Sequence, residues 1–419
     1  MHLVVFEASR WASMAPLSLN RPVFTLLSGA SSLLDKQIQH IEPSRLTLWV
    51  RPQLVDYCRK HVLPGISVPC TINTPLDDEP AILSSGRALH FSQFPTPDEP
   101  SASVDEGDLI RHAYVKMPGL SIEDAMQRND RWLEILDLPR TSHETRLPEY
   151  VWDLVHWNEE AIVADAIQMK DRPRTPADCR CHVIGEADVI MSPKAKISPG
   201  VVLDASKGPI VVDAGASIGA SSVIQGPVYV GKYASISPLS HIHSGTSIGP
   251  NCKVGGEVAT SVFLSYSNKP HLGFVGHSYI GEWVNIGAGT STSNLKNTYG
   301  PIKMHIGSRE IETDRRFLGS MIGDHSKLAI GTRLMTGSYI GFCSLLAGSN
   351  LPPRFIPSYS FWTDAGMQPY KLDKAREMMK QMYSRRGRSW DDADETQLQL
   401  VLETSREAES GYKNVKPTH

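Results

Sequence analysis

Reading every sixth residue from Val212 gives Val212, Ile218, Ile224, Val230, Ile236, Ile242, Ile248 and Val254, eight aliphatic side chains in one register. A second run holds Phe274, Ile280 and Ile286, and a third holds Ile322, Leu328, Leu334, Ile340 and Leu346. Two further columns keep step. The position two before the aliphatic is small, as at Ala216, Ser222, Ala234, Ser240, Thr246, Ser278, Ser326 and Ser338. The position after it is often glycine, as at Gly219, Gly231, Gly249, Gly281, Gly287, Gly323 and Gly341. A period of six fits neither an amphipathic helix, with its period of about 3.6, nor a two-faced strand, with its period of about 2. It predicts short strands joined by corners, with one aliphatic pointing inward per face. Three faces make a triangular coil of roughly 18 residues, and coils stack at about 4.8 Å. Glycine is expected where a corner needs positive φ. Each coil buries its apolar column only against the coils above and below it, so the array is its own core.

Two stretches leave the register, 257–273 and the charged 293–321 with Lys296, Lys303, Arg309, Arg315 and Arg316. Both are read as insertions, which in a repeat array map to loops on one face, often the binding face. Upstream of the array the pattern changes. Leu3 to Phe6 and Leu46 to Val50 are strand-like apolar runs, while Ser31 to His40 and Gln53 to His61 read as helices, which predicts an α/β domain with a mostly parallel sheet over residues 1–145. A connecting helix from Trp152 to about Met169 ends at the proline cluster of residues 172–176, making 146–176 a spacer before the β-helix at 177–352. Residues 353–419 read as a solvated helical tail, with Met378, Met379 and Met382 on a first charged helix, then Arg385, Arg386 and Arg388, then an acidic second helix.

Composition narrows the class. The chain has 419 residues, 41% hydrophobic and 21% charged, as a soluble globular protein does. A formal net charge of −3 argues against a nucleic-acid binder. No run approaches a membrane span, and Met1 leads straight into a strand, so neither membrane nor secretory leader is expected. The six cysteines, at 58, 70, 179, 181, 252 and 343, are scattered, which suits packing in a reducing cytoplasm. Cys179-Arg180-Cys181-His182 lacks a second ligand pair and is a poor zinc motif, so no metal site is assigned.

The stretch Lys269-Pro270-His271-Leu272-Gly273-Phe274-Val275-Gly276, followed by Asn285-Ile286-Gly287-Ala288-Gly289-Thr290, resembles the acetyltransferase half of the bifunctional UDP-N-acetylglucosamine diphosphorylase/glucosamine-1-phosphate N-acetyltransferase family. A variant bacterial and archaeal branch also shows Gly255-Gly256-Glu257-Val258, Ser293-Asn294-Leu295 and Gly319-Ser320-Met321-Ile322-Gly323-Asp324-His325. The resemblance covers roughly residues 180–355, is looser over the N-terminal third and is absent over the last sixty residues. It implies a nucleotidyltransferase-like α/β domain, a left-handed parallel β-helix of hexapeptide repeats and a helical tail, assembled as a cytoplasmic homotrimer with sites between neighbouring β-helices.

The resemblance makes His271 the general base. A sugar amine is largely an ammonium near neutral pH and must lose a proton before attacking the thioester of acetyl-CoA, and histidine titrates in the range to accept it. It places the sugar phosphate near Lys269, Asn285 and Asn294, and acetyl-CoA along Ala288, Gly289 and Ala347, with backbone amides around Ala288 meeting the developing oxyanion. The chain departs from the pattern in four ways. Its lysine lies two residues before the histidine rather than three, Pro270 replaces the usual asparagine, Phe274 replaces a common tyrosine, and His277 replaces a common aspartate. In the N-terminal half the family carries a glycine-rich loop that cradles the triphosphate of a nucleotide with Mg2+. Here the first strand runs into Glu7-Ala8-Ser9-Arg10-Trp11-Ala12-Ser13-Met14-Ala15-Pro16, without glycine. Arg10, Arg21 and Lys36 are the candidate phosphate contacts, and Asp77 and Asp78 the weak candidates for Mg2+. Three readings stay open: sugar-phosphate N-acetyl transfer, nucleotidyl transfer with the β-helix as a trimerising scaffold, and sugar-nucleotide binding without chemistry.

Overall fold

The structure is a computed structural model that describes residues 1–7, 9–104, 110–123, 138–141, 145–172, 181–307 and 309–410. The N-terminal domain is a six-stranded mixed sheet in the order Cys70–Ile72, Arg45–Trp49, His2–Phe6, Ala81–Ser85, Ile110–Val115, Ser101–Val104. The first four strands run parallel and the last two close the edge antiparallel. His2–Phe6 is buried throughout, as a central strand covered on both faces requires. The helix read at 31–40 is Leu33–Ile41, opened by a capping box between Ser32 and Asp35. The helix read at 53–61 is instead a chain of short turns, Pro52–Leu54, Val55–Tyr57 and the wider Cys58–Val62. Its apolar residues Leu54, Cys58 and Val62 still face the core at a spacing of four.

Parallel strands stacked on three faces then form the β-helix. One face runs from His182–Ile184 up to Phe274–Gly276 and is continued by Ser291–Thr292 and Arg333–Leu334. The second runs from Val189–Met191 to Phe355–Ile356, and the third from Lys196–Ile197 to Ser360–Thr363, closed by a hairpin to Gly366–Pro369. The first and third hexad runs point inward as expected: Ile218, Ile224, Val230, Ile242, Ile248, Ile322 and Ile340 are fully buried in a single core. Phe274 departs from the reading. Its strand pairs Val258 with Val275, so Val275 fills the inward column and Phe274 faces out.

Two further expectations are corrected. The glycines after each aliphatic are not the left-handed residues. Positive φ falls three positions before the next aliphatic, on residues such as Tyr233, Leu239 and Asn251. Those glycines are instead required by contact with the next coil, since a Cβ on Gly231 would lie 2.8 Å from the Ile248 carbonyl oxygen. The stretch 257–273 is also not an insertion. Its strands Glu257–Ala259, Val262–Phe263 and Asn268–Lys269 continue all three faces, and the coil from Val254 to Lys269 is merely short, 15 residues against 18 from Ile236 to Val254. Only the second break inserts extra chain, a hairpin of Lys303–Ile306 and Arg309–Glu312.

The connector and the tail are mortar, not spacers. Helices Val151–His156 and Asn158–Gln168 lie between the N-terminal domain and the second face. Asn158, fully buried, accepts from Gly29 N–H at 2.7 Å and donates to the Gly245 carbonyl at 2.8 Å. Asp165 accepts from Ala30 N–H at 2.6 Å and pairs with Lys36. The proposed solvated tail is docked. Helices Leu372–Ser384 and Asp392–Ala408 bury Ala375, Met379, Leu398 and Val401 against the β-helix, and Lys60 of the N-terminal domain bridges Asp391 and Asp394. Their apolar stripes supply the contact area, which sequence periodicity alone had left without a partner. The proline cluster at 173–176 and Cys179 lie outside the described residues.

Candidate active site

One edge of the prism, where the third face turns into the first, carries most of the acetyl-transfer candidates. His271 stands there in the turn between Asn268–Lys269 and Phe274–Gly276, exposed, and its ring hydrogen-bonds to no described residue. Ala288 and Gly289 occupy the same turn one coil further on, and Ala347 the same turn three coils on, about 14 Å along the edge at the interstrand spacing. The amides of Gly287, Gly289 and Thr290 are spent on the carbonyls of Leu328, Leu272 and Gly287. The Ala288 N–H has no acceptor among the described residues, which leaves it free to meet an oxyanion. Asn285 is exposed on the third face beside Asn268, whose side chain accepts from Arg386 of the tail at 2.9 Å.

Two candidates are placed differently from the expectation. Asn294 lies at the far end of the first face from His271, donating to His277 Nδ1 at 2.9 Å, with the His277 ring stacked on Phe317. Burial lowers the His277 pKa to about 4, so this imidazole is neutral at physiological pH. Strand Phe274–Gly276 separates the pair from His271, and a single chain does not bring them together. Lys269 does not reach toward substrate. Its side chain is 1% exposed and points into the prism, where Nζ donates to the carbonyls of Gly255 at 2.6 Å and His271 at 2.9 Å.

In the N-terminal domain the ends of the parallel strands are closed by their own side chains. Glu7, directly after the first strand, is held by Arg51 at 2.9 Å, and Arg51 also donates to the Ser18 carbonyl at 2.7 Å and lies 3.7 Å over the Trp11 ring. The segment after the glycine-free turn is buried, with Leu17 and Leu19 packed among Val262, Leu264 and Tyr279 of the β-helix.

Residues 3–172 match the model of the family described as sugar nucleotidyl transferase. Over 170 residues the chain is 37% identical to the bifunctional protein GlmU of Methanocaldococcus jannaschii, covering 40% of this chain and 41% of that protein. It is also 37% identical over 137 residues to the bifunctional sugar-1-phosphate nucleotidylyltransferase/acetyltransferase of Sulfurisphaera tokodaii, covering 32% and 34%. With GlmU of Methanococcus aeolicus it shares 31% over 192 residues, 45% of each chain. Over these stretches the chain resembles members of that family. The matches span between a third and a half of the length of these relatives.

Against that family background the three N-terminal cations are engaged elsewhere. Arg10 forms a half-exposed pair with Glu149 at 3.4 Å. Arg21, 2% exposed, pairs with Asp324 and with Glu282 at 3.0 Å on the β-helix, and Asn20 donates to the same Asp324 at 2.8 Å. Lys36, fully buried, is committed to Asp165. These positions were read as phosphate contacts because sequence shows a cation but not its carboxylate, which in each case lies more than a hundred residues away. Magnesium fares no better on the residues singled out: Arg45 holds Asp77 in a bidentate surface pair, and among the described residues no three His, Cys, Asp or Glu side chains are grouped to hold a metal. A cavity of about 240 Å³ lined by Arg21, Ser32, Asp35, Tyr57, His61 and Glu282 lies at the domain junction, away from the His271 edge. Asp324, Glu282, Asn158 and Asp165 were missed by sequence reasoning. The stretch containing Asp324 was visible, but nothing local in it shows that this acid is buried and paired with Arg21.

Proposed function

We propose that the chain transfers an acetyl group from acetyl-CoA to the amine of a sugar phosphate of the glucosamine-1-phosphate type at the β-helix edge, with its sugar nucleotidyl transferase-family domain docked rigidly beside it. The observation that carries this reading is an exposed His271 ring on a turn whose backbone is tied down, one coil from the unpaired Ala288 amide. His271 takes a proton from the sugar ammonium, the freed amine attacks the thioester carbon, and the Ala288 N–H donates to the oxygen that becomes negative. Collapse expels the CoA thiolate, which takes up a proton. The line from Ala288 to Ala347 supplies an edge along which the long CoA arm extends. Leu239, Leu272 and Ile330, 80%, 74% and 78% exposed, lie on this same edge, which supports a homotrimer in which a second copy covers it and completes the site. No helix among the described residues is long and apolar enough to cross a membrane.

The test is CoA release by the purified protein with acetyl-CoA and glucosamine-1-phosphate. His271→Ala is expected to lower turnover at least about 100-fold, as loss of a general base does. Undiminished turnover in that variant, or none with any amino-sugar phosphate, rejects the reading. The match of residues 3–172 favours nucleotidyl transfer as a second reading. Pyrophosphate release from UTP and a sugar-1-phosphate, in the presence of Mg2+ and unaffected by His271→Ala, would establish it separately.

A further inference from the structure

The inward column of the third face reads Ile197, Ile218, Ile236, Val254, Lys269, Ile286, Leu328, Leu346 and Trp362. A single cation interrupts it. Along a strand successive side chains point to opposite faces, so moving a lysine by one residue turns it from solvent to core. This chain's lysine stands two positions before the histidine, and that position is the inward one. Burying an ammonium costs several kcal/mol unless its donors are satisfied. Here it is sustained by two carbonyl acceptors, Gly255 in the coil below and His271 in the turn itself. Burial has pulled the ammonium's pKa down to about 8.

Every carbonyl of the turn is anchored. Pro270 O accepts from Ser237 Oγ at 2.8 Å, His271 O from Lys269, Leu272 O from Gly289 N–H at 3.0 Å, and Gly273 O from Glu257 N–H at 3.3 Å. Three of those donors belong to other coils. The fourth comes from inside the prism, and it is the one that holds the residue bearing the imidazole.

We propose that Lys269 is a positioning residue for His271, an internal strut that fixes the backbone from which the imidazole projects and never touches substrate. The proposal rests on the acetyl-transfer reading for its kinetic consequence, but not for its structural one. A natural control lies in the same fold. Lys327, two coils on, also donates from Nζ to two carbonyls, Trp283 at 2.6 Å and His325 at 2.9 Å, but at the opposite edge of the third face, where the second face turns into the third.

Lys269→Met and Lys327→Met in the full chain separate positioning from mere stability. Lys269→Met is expected to lower kcat at least tenfold with KM for acetyl-CoA within twofold, and to speed hydrogen exchange of the Gly289 amide at least tenfold. Lys327→Met is expected to leave kcat and Gly289 exchange within twofold. Unchanged Gly289 exchange in Lys269→Met, or equal kcat losses in the two variants, overturns the proposal. If the wild type transfers no acetyl group, the functional reading fails while the exchange measurement still decides the strut.

Discussion

The buried pair of Lys36 and Asp165 gives the sharpest test of whether the N-terminal cations bind phosphate or hold the domains together. Lys36 is fully buried and Asp165 is 4% exposed, and burial lowers the lysine's pKa while the carboxylate partly restores it. Asp165→Asn keeps an oxygen for the Ala30 N–H, now bonded at 2.6 Å, and removes only the charge. What is left is an ammonium without a counter-charge in a dry interface, which costs about 3–5 kcal/mol. Lys36→Met removes the opposite partner and strands the carboxylate, though two neighbours soften that loss, so about 2–4 kcal/mol is expected. In the double variant neither charge remains. A methionine beside an asparagine fills a similar volume, and at least about 2 kcal/mol of the summed loss is expected to return.

Urea denaturation of the four proteins, followed by tryptophan fluorescence, closes the cycle, because Trp152 and Trp157 sit on the connector that this pair fastens. Single variants within about 1 kcal/mol of wild type, or a double variant as unstable as the sum of the singles, would refute the interpretation. A phosphate-binding Lys36 behaves in the opposite way. Its replacement raises the KM for a nucleotide or sugar phosphate and leaves the denaturation midpoint where it was.

Three further outcomes follow from the geometry. Gly273 sits at φ +124°, and a Cβ there would lie 2.1 Å from the Thr290 carbonyl oxygen, so Gly273→Ala is expected to cost several kcal/mol in thermal unfolding and to abolish CoA release. Glu409, which accepts from Tyr339 Oη at 2.9 Å and Ser358 N–H at 2.7 Å, is pushed up to about 7 by burial, from an ordinary value near 4.5. A raised carboxyl stabilises the fold below pH 4.5, and that contribution, about 3 kcal/mol, fades as pH rises through 7. Wild-type stability should therefore fall between pH 5 and 8 relative to Glu409→Gln, and parallel pH curves would contradict the assignment. Leu239→Glu combined with Ile330→Glu is expected to convert a trimer to monomers in sedimentation, since each exposed leucine or isoleucine contributes about 2 kcal/mol when covered; an unchanged mass shows that this edge is not the interface.

The hexad columns made the solenoid readable because the pattern that identifies each inward residue is local, repeating within one coil. The same locality explains the errors. A shortened coil and an inserted loop both break the register, and only pairing Val254 with Lys269 shows that 257–273 lost residues instead of gaining a loop. Phe274 kept the six-residue count but sat one place out of phase with Val275, which carries the core. Arg21 and Lys36 are invisible as structural cations, because their partners Asp324 and Asp165 come from other elements. His271 is singled out by motif, and its exposure follows from its place at a corner.

The loop after the first strand shows how the two halves constrain each other. A glycine-rich turn leaves backbone amides free for a triphosphate. This chain replaces it with apolar residues that dock on the β-helix, and with Asn20 and Arg21, which lock onto Asp324. Those interactions order the junction from the side opposite the His271 edge. The N-terminal domain covers the second face, the tail covers the corner that follows it, and the edge carrying His271, Ala288 and Ala347 is left open. A rigid prism with two protected sides and a bare apolar edge offers a second copy a surface to pack on without displacing the N-terminal domain or the tail, and it is the surface where the proposed chemistry resides.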